Sequence, residues 1–170
     1  MDGKVAIVTD TMGCLPSSEI KRYNIREVPV KIIFENMVYQ DRVDLNADEF
    51  YKMLGKARKL PTTAAPSPEH FLNAYREMSQ EAARILCITI SSKLSGTFNS
   101  AKVAADMARE VLSDVVVEVL DSQAAAAAEG FVVLAAARAA AAGKRMDEVI
   151  NAARNVMSSV HLFAIVDTLR

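Results

Sequence analysis

The segment Ser91-Ser92-Lys93-Leu94-Ser95-Gly96-Thr97 follows an apolar run, Ile85–Ile90, and leads into a stretch with helical spacing. Hydroxyls at Ser92, Ser95 and Thr97, with a side-chain-free backbone at Gly96, suit a carboxylate or phosphate at such a strand-to-helix handover. The first-turn amides of a helix have no internal partner, and its dipole is positive at that end. The same residues also make a plain capped helix behind a serine-rich loop. They are not a P-loop, because GxxxxGK[ST] is absent. Thr62-Thr63-Ala64-Ala65-Pro66-Ser67 reads as a proline-bounded turn before another helix start. Asp10 ends the first apolar run, where a short carboxylate can cap a turn, bind a cation or orient a hydroxyl.

The usual catalytic sets are missing from the sequence. His70 and His161 are the only histidines, and neither has neighbours at metal-ligand spacing. There is no GxSxG elbow, GxGxxG turn or HExxH helix. Cys14 and Cys87 are too few for a disulfide framework or a four-cysteine zinc site. No catalytic residue, metal or cofactor is therefore expected.

Positioning these loops requires alternating strands and helices. Val5–Val8, Val28–Phe34, Ile85–Ile90, Val115–Leu120 and Leu162–Val166 read as strands. Glu35-Asn36 turns the second of them back through Met37-Val38-Tyr39 as a hairpin. Asn46 with Glu49 three positions later predicts a capped helix carrying Phe50, Met53 and Leu54. Ser67-Pro68 opens another, with proline at the first helical position. Further helices are predicted over Phe98–Leu112, through the alanine-rich stretch to Ala142 and its stop at Gly143, and over Met146–Ser158. Strands apolar on both faces, alternating with helices, predict an α/β fold: a parallel sheet flanked by helices. The length of 170 residues fits one domain, residues 1–170.

Composition bounds the partners. Hydrophobic residues at 51% and charged residues at 24% exclude a disordered chain. A net charge of −1 gives no electrostatic case for nucleic acid or an anionic membrane surface. The longest apolar stretch, around Ala124–Leu134, carries Glu129 and cannot span a bilayer, so no membrane insertion is expected. Val5–Val8 is too short for a secretory core, which makes a cytoplasmic location the expectation.

Taken in order, the loops resemble the DegV family of bacterial fatty-acid-binding proteins. Val8-Thr9-Asp10-Thr11 resembles the family's opening T-D-S/T, Val28-Pro29-Val30 its V-P-L strand, and Tyr39-Gln40-Asp41 its Y-x-D. Pro61–Pro68 resembles P-x-T-S-Q-P-S-P, and Ser91–Phe98 resembles S-S-x-L-S-G-T-[YF], the most specific match. Asp121-Ser122 and Val166-Asp167-Thr168-Leu169 resemble its D-S and V-D-x-L segments. Ala64 and Ala65 depart from the pattern, standing where the family carries Ser-Gln.

The resemblance implies a non-enzymatic carrier rather than a catalyst. It implies a DegV-like N-terminal domain without the family's second domain. A long-chain fatty acid such as palmitate would be its ligand, with the acyl chain buried and the carboxylate held by Thr63 and Ser95. Gly96, Thr97, Ser92 and Asp10 complete the expected ligand-binding set. A fatty acid kinase is the implied partner, receiving the bound acid and making an acyl phosphate. The alternative is an enzyme of phosphoryl or acyl transfer using the Ser95-Gly96-Thr97 loop as its anion site. For the tail, the alanine-rich helix Ala124–Ala142 either leaves room or lies close on the sheet.

Overall fold

A computed structural model of the chain describes residues 3–165. Four strands form a parallel sheet: β1 (Val5–Asp10), β2 (Arg26–Val28), β6 (Arg84–Thr89) and β7 (Val116–Asp121), in the order β2-β1-β6-β7. Alternate side chains of the central strands point to opposite faces, and helices cover both. On one face Ala6, Val8, Ile85 and Cys87 meet α3 (Pro68–Ser79) and α4 (Thr97–Val111) through Phe71, Tyr75, Ala101 and Ala105. On the other, Val5, Ile7, Leu86 and Ile88 meet α5 (Ala126–Ala141) and α6 (Met146–Met157) through Val132, Val133, Ala136 and Val149. A seven-residue helix, α1 (Ser17–Tyr23), adds Ile20 and Tyr23 to this second face. The parallel α/β sheet flanked by helices is thus the observed architecture.

A second sheet was only half visible in the sequence. It is antiparallel, in the order β4-β3-β5: β3 (Lys31–Phe34), β4 (Met37–Gln40) and β5 (Thr62–Ala64). Glu35 and Asn36 make the expected hairpin, both at positive φ (47° and 69°), which matches the twist of the flanking strands. The single strand expected over Val28–Phe34 is instead two, in different sheets. Pro29 has no amide hydrogen to give a ladder, so β2 stops before it. Val30 then donates its amide to Thr11 Oγ1 at 3.3 Å, and the chain leaves the first sheet for the second. Thr62–Ala64, read as a turn, pairs with Ile33, Ile32 and Lys31. Three residues between prolines carry no periodicity of their own.

Helix starts follow the local chemistry. Asn46 and Glu49 form a reciprocal capping box on α2 (Ala47–Leu54), with bonds of 3.0 and 3.3 Å. Pro68 opens α3 as expected, but Ser67 makes no cap; its Oγ lies 2.5 Å from His70 Nδ1. The strand expected over Leu162–Val166 is not formed at Leu162–Ile165. That stretch pairs with no strand, and Phe163 and Ile165 are 89% and 100% exposed. Apolar composition alone does not make a strand without a ladder partner. Val166 and the Asp167-Thr168-Leu169 motif lie outside the described residues.

Candidate functional site

The strand order places the site. β1 connects outward to β2 and β6 connects outward to β7, so the winding reverses between β1 and β6. In open α/β sheets the crevice beyond the carboxyl ends of strands at such a reversal is where ligands lie. A cavity of about 350 Å³ occupies that crevice here. Met12, just past β1, and Ile90, just past β6, form its floor with Val30 and Leu94. Thr63, Ala64 and Ala65 close it from β5, and Ser95 and Gly96 from the start of α4. The volume sits at the lower end of the roughly 300–1,000 Å³ usual for ligand pockets. Its lining is mixed: the side chains of Met12, Val30, Ile90 and Leu94 share it with the hydroxyls of Thr63 and Ser95 and with polar backbone, a combination that suits an amphipathic ligand.

The expected site residues separate into three groups. Thr63, Ser95 and Gly96, remote in sequence, share this one cavity. Thr97 is fully buried behind Ser95, their hydroxyls 2.8 Å apart, and its amide donates to Ser95 Oγ at 3.3 Å. Ser95 therefore does the capping of α4 from one residue before the N-cap position, which Gly96 occupies without a side chain. Ser92 turns away to Asp121, its amide and hydroxyl donating to the carboxylate at 3.2 and 2.5 Å. Asp10 is fully buried, with one oxygen accepting from the Met12 amide and the other from the Ile90 amide, each at 2.9 Å. It ties the ends of β1 and β6 together beneath the cavity.

Sequence reasoning missed one ionisable group altogether. Glu129 on α5 is 0% exposed, and its carboxyl faces Thr9 and Asp10. Its place on the buried stripe with Val132, Val133 and Ala136 was a legible signal, since one acid among apolar residues at helical spacing is turned inward. Burial, then the nearby Asp10 charge, pushes the Glu129 carboxyl up to about 10. Burial also raises Asp10 to about 6, while the Ile90 and Met12 amides hold it back from going higher. A carboxyl whose folded pKa exceeds its unfolded one binds its proton more tightly in the fold. Its contribution is full below the unfolded pKa and is lost as pH rises toward the folded one. Unfolding free energy is therefore expected to fall between pH 6 and pH 8, by about 1.4 kcal/mol per pH unit from Glu129, with a smaller addition from Asp10 near pH 6. Urea titrations at the two pH values measure it; Glu129→Gln flattens the slope.

Larger concavities lie elsewhere on the domain, and the two largest of them do not compete. One of about 460 Å³ is lined by Arg26, Glu27, Asp41, Arg42 and His70. Its cations are already paired, Arg42 with Glu27 at 3.0 Å and Arg26 with Glu77 at 2.7 Å. The other, about 440 Å³, is an open groove between α5 and α6 beside Phe131 and Val156. Among the described residues no group of three His, Cys, Asp or Glu side chains is placed to hold a metal. No helix among them is long and apolar enough to cross a membrane.

Fold and site together define an α/β domain with a cavity at the carboxyl end of its parallel sheet. A family profile described as "Uncharacterised protein, DegV family" matches residues 4–170, and the chain belongs to that family. A DegV domain-containing protein of Clostridium perfringens is 33% identical over 165 residues, covering 97% of this chain and 58% of the relative. A DegV family protein of Thermus thermophilus, described as binding fatty acid, superposes with a TM-score of 0.80 at 32% identity. It covers 91% of this chain and 54% of its own. A stearic-acid-binding protein of Eubacterium ventriosum gives 0.80 at 26% identity over 86% of this chain and 51% of its own. The chain thus spans little more than half the length of the relatives it matches.

Proposed function

We propose that residues 1–170 form a non-catalytic domain that binds a long-chain fatty acid such as palmitate. The observation that carries this reading is the meeting of Thr63 and Ser95 across one cavity, beside the apolar side chains of Met12, Val30, Ile90 and Leu94, at the reversal between β1 and β6. The two hydroxyls donate to the carboxylate, while Gly96 lets the backbone and the N-terminal end of α4 approach it. Thr97 acts through Ser95, and Ser92 and Asp10 shape the loops rather than touch the ligand. The tail runs along Met12, Val30, Ile90 and Leu94. It does not run under the alanine-rich helix, because α5 lies directly on the sheet through Val132, Val133 and Ala136. Relatives described as fatty-acid-binding support the ligand class. Each buried methylene contributes about 0.8 kcal/mol, so the tail supplies affinity and the hydroxyls supply orientation.

Two positive contacts weigh against acyl or phosphoryl transfer at the same loop. Ser95 Oγ is engaged with Thr97 rather than with a base, and His70 with Ser67. The carrier reading gives the bound acid to a fatty acid kinase, which converts the carboxylate to an acyl phosphate. Native mass spectrometry of freshly purified protein tests the ligand, and a co-purifying long-chain acid is expected. A lipid-free protein that also fails to take up palmitate would sink the proposal. Turnover of acyl phosphate or nucleotide by the chain alone would favour the enzyme.

A further inference from the structure

Beneath the cavity floor lies a polar cluster that ligand contact does not explain. Thr9, Asp10 and Glu129 are each 0% exposed. Thr9 Oγ1 and both carboxyl oxygens of Glu129 close no hydrogen bond of good geometry, although Glu129 faces Thr9 and Asp10. Buried polar atoms are almost always paired, and a buried unpaired carboxylate is far costlier than a neutral acid. Two ionised carboxylates in contact also repel. Asp10 already accepts two amide hydrogens, which favours its ionised form. The proton therefore belongs on Glu129, where it turns two facing acceptors into a donor and an acceptor.

We infer that Glu129, as a neutral carboxylic acid, is a positioning residue for the cavity: its O–H donates to Asp10, which stays an ionised acceptor for the Met12 and Ile90 amides. Those two amides belong to residues of the cavity floor, so the proton on α5 sets the shape of a site it never touches. The raised titration of Glu129 agrees with this assignment. Among the described residues no cation competes for the role. The other ionisable groups near the cluster are the thiols of Cys14 and Cys87, with Glu27, Asp41 and Arg42 further out, and Arg42 is held by Glu27 at 3.0 Å. On the remaining elements packed against α5, Lys21, Arg22, Asp147, Glu148 and Arg154 are exposed, and Glu19 pairs loosely with Arg22.

The inference rests on the acyl-ligand reading for its functional consequence but not for its geometry. Carboxyl-labelled protein followed by NMR, amide exchange at Met12 and Ile90, and palmitate titration separate the two. Glu129 is expected to remain protonated at pH 7. Glu129→Gln, whose amide donates without ionising, should keep palmitate affinity within about twofold and leave both amides protected. Glu129→Leu removes the donor, so Asp10 should titrate at higher pH, both amides exchange faster, and palmitate affinity drop about fivefold or more. An ionised Glu129 at pH 7, or unchanged exchange and Asp10 titration in Glu129→Leu, would overturn the assignment. If Glu129→Leu does not fold, faster exchange at Met12 and Ile90 in Glu129→Gln overturns it instead. If wild type itself ignores palmitate, the ligand reading fails, and exchange and titration alone decide the positioning role.

Discussion

Palmitate binding is expected to weaken at least about tenfold, roughly 1.4 kcal/mol, when Ser95→Ala is combined with Thr63→Val. Hydrogen bonds to a charged carboxylate are worth on the order of 1.5–3 kcal/mol each, so two of them set an upper range well above that floor. Thr63 is exposed, so water partly replaces its hydroxyl, which is why the floor is set low. The fold should survive. Valine keeps the β-branched shape at position 63, and β5 pairs with Ile32 through its backbone. Alanine at 95 loses the contacts to the Thr97 amide and hydroxyl, a capping loss of about 1 kcal/mol. That is small against the roughly 5–15 kcal/mol of an ordinary domain. Calorimetric titration with palmitate, beside a circular dichroism spectrum of each variant, makes the comparison. Undiminished affinity in the double variant would remove both residues from the site.

The second large effect concerns Gly130→Ala. In an exposed helix interior this change stabilises by about 1 kcal/mol. Here the sign inverts. A Cβ at position 130 would stand 2.4 Å from the Gly13 carbonyl oxygen and 3.4 Å from Leu15 Cδ2. The carbonyl is backbone and cannot rotate aside, so α5 or the 3-10 turn Thr11–Gly13 must move. Overpacking of this kind costs about 3 kcal/mol at the upper end of its usual range. Met12 sits in that turn, so palmitate affinity should fall with stability. Gly96→Ala is the contrast, because its nearest neighbour would be Ala65 Cβ at 4.0 Å and its φ of −72° suits any residue. Thermal melts of both variants settle the matter: equal midpoints would mean that α5 does not press on the turn.

Much of the scaffold was readable without coordinates, for local reasons. The apolar runs at Val5–Val8 and Ile85–Ile88 became buried central strands because their side chains pack alternately on one helical layer and the other. Asn46 with Glu49, and Pro68, marked helix starts because capping is settled within four residues. Thr62–Ala64 was not readable as a strand, because its only reason to be one is the edge that Ile32 offers it. The break at Pro29 was legible in principle from the missing amide. The paired loops of the site were recognisable as motifs, yet nothing in either loop says that it faces the other.

The sequence by itself determined the central strands and the longer helices, though not β5, α1 or the split of Val28–Phe34, through apolar periodicity, caps and proline, all of which act over a few neighbours. It also determined the hydroxyl chemistry available at Thr63, Ser95 and Thr97. Tertiary structure alone decided that Thr63 and Ser95 line one cavity while Ser92 and Thr97 do not. It alone decided that Glu129, an ordinary acid in the chain, keeps its proton beside Asp10. The physical reason is range: desolvation and hydrogen-bond supply at a buried atom are set by whatever the fold brings against it from distant positions.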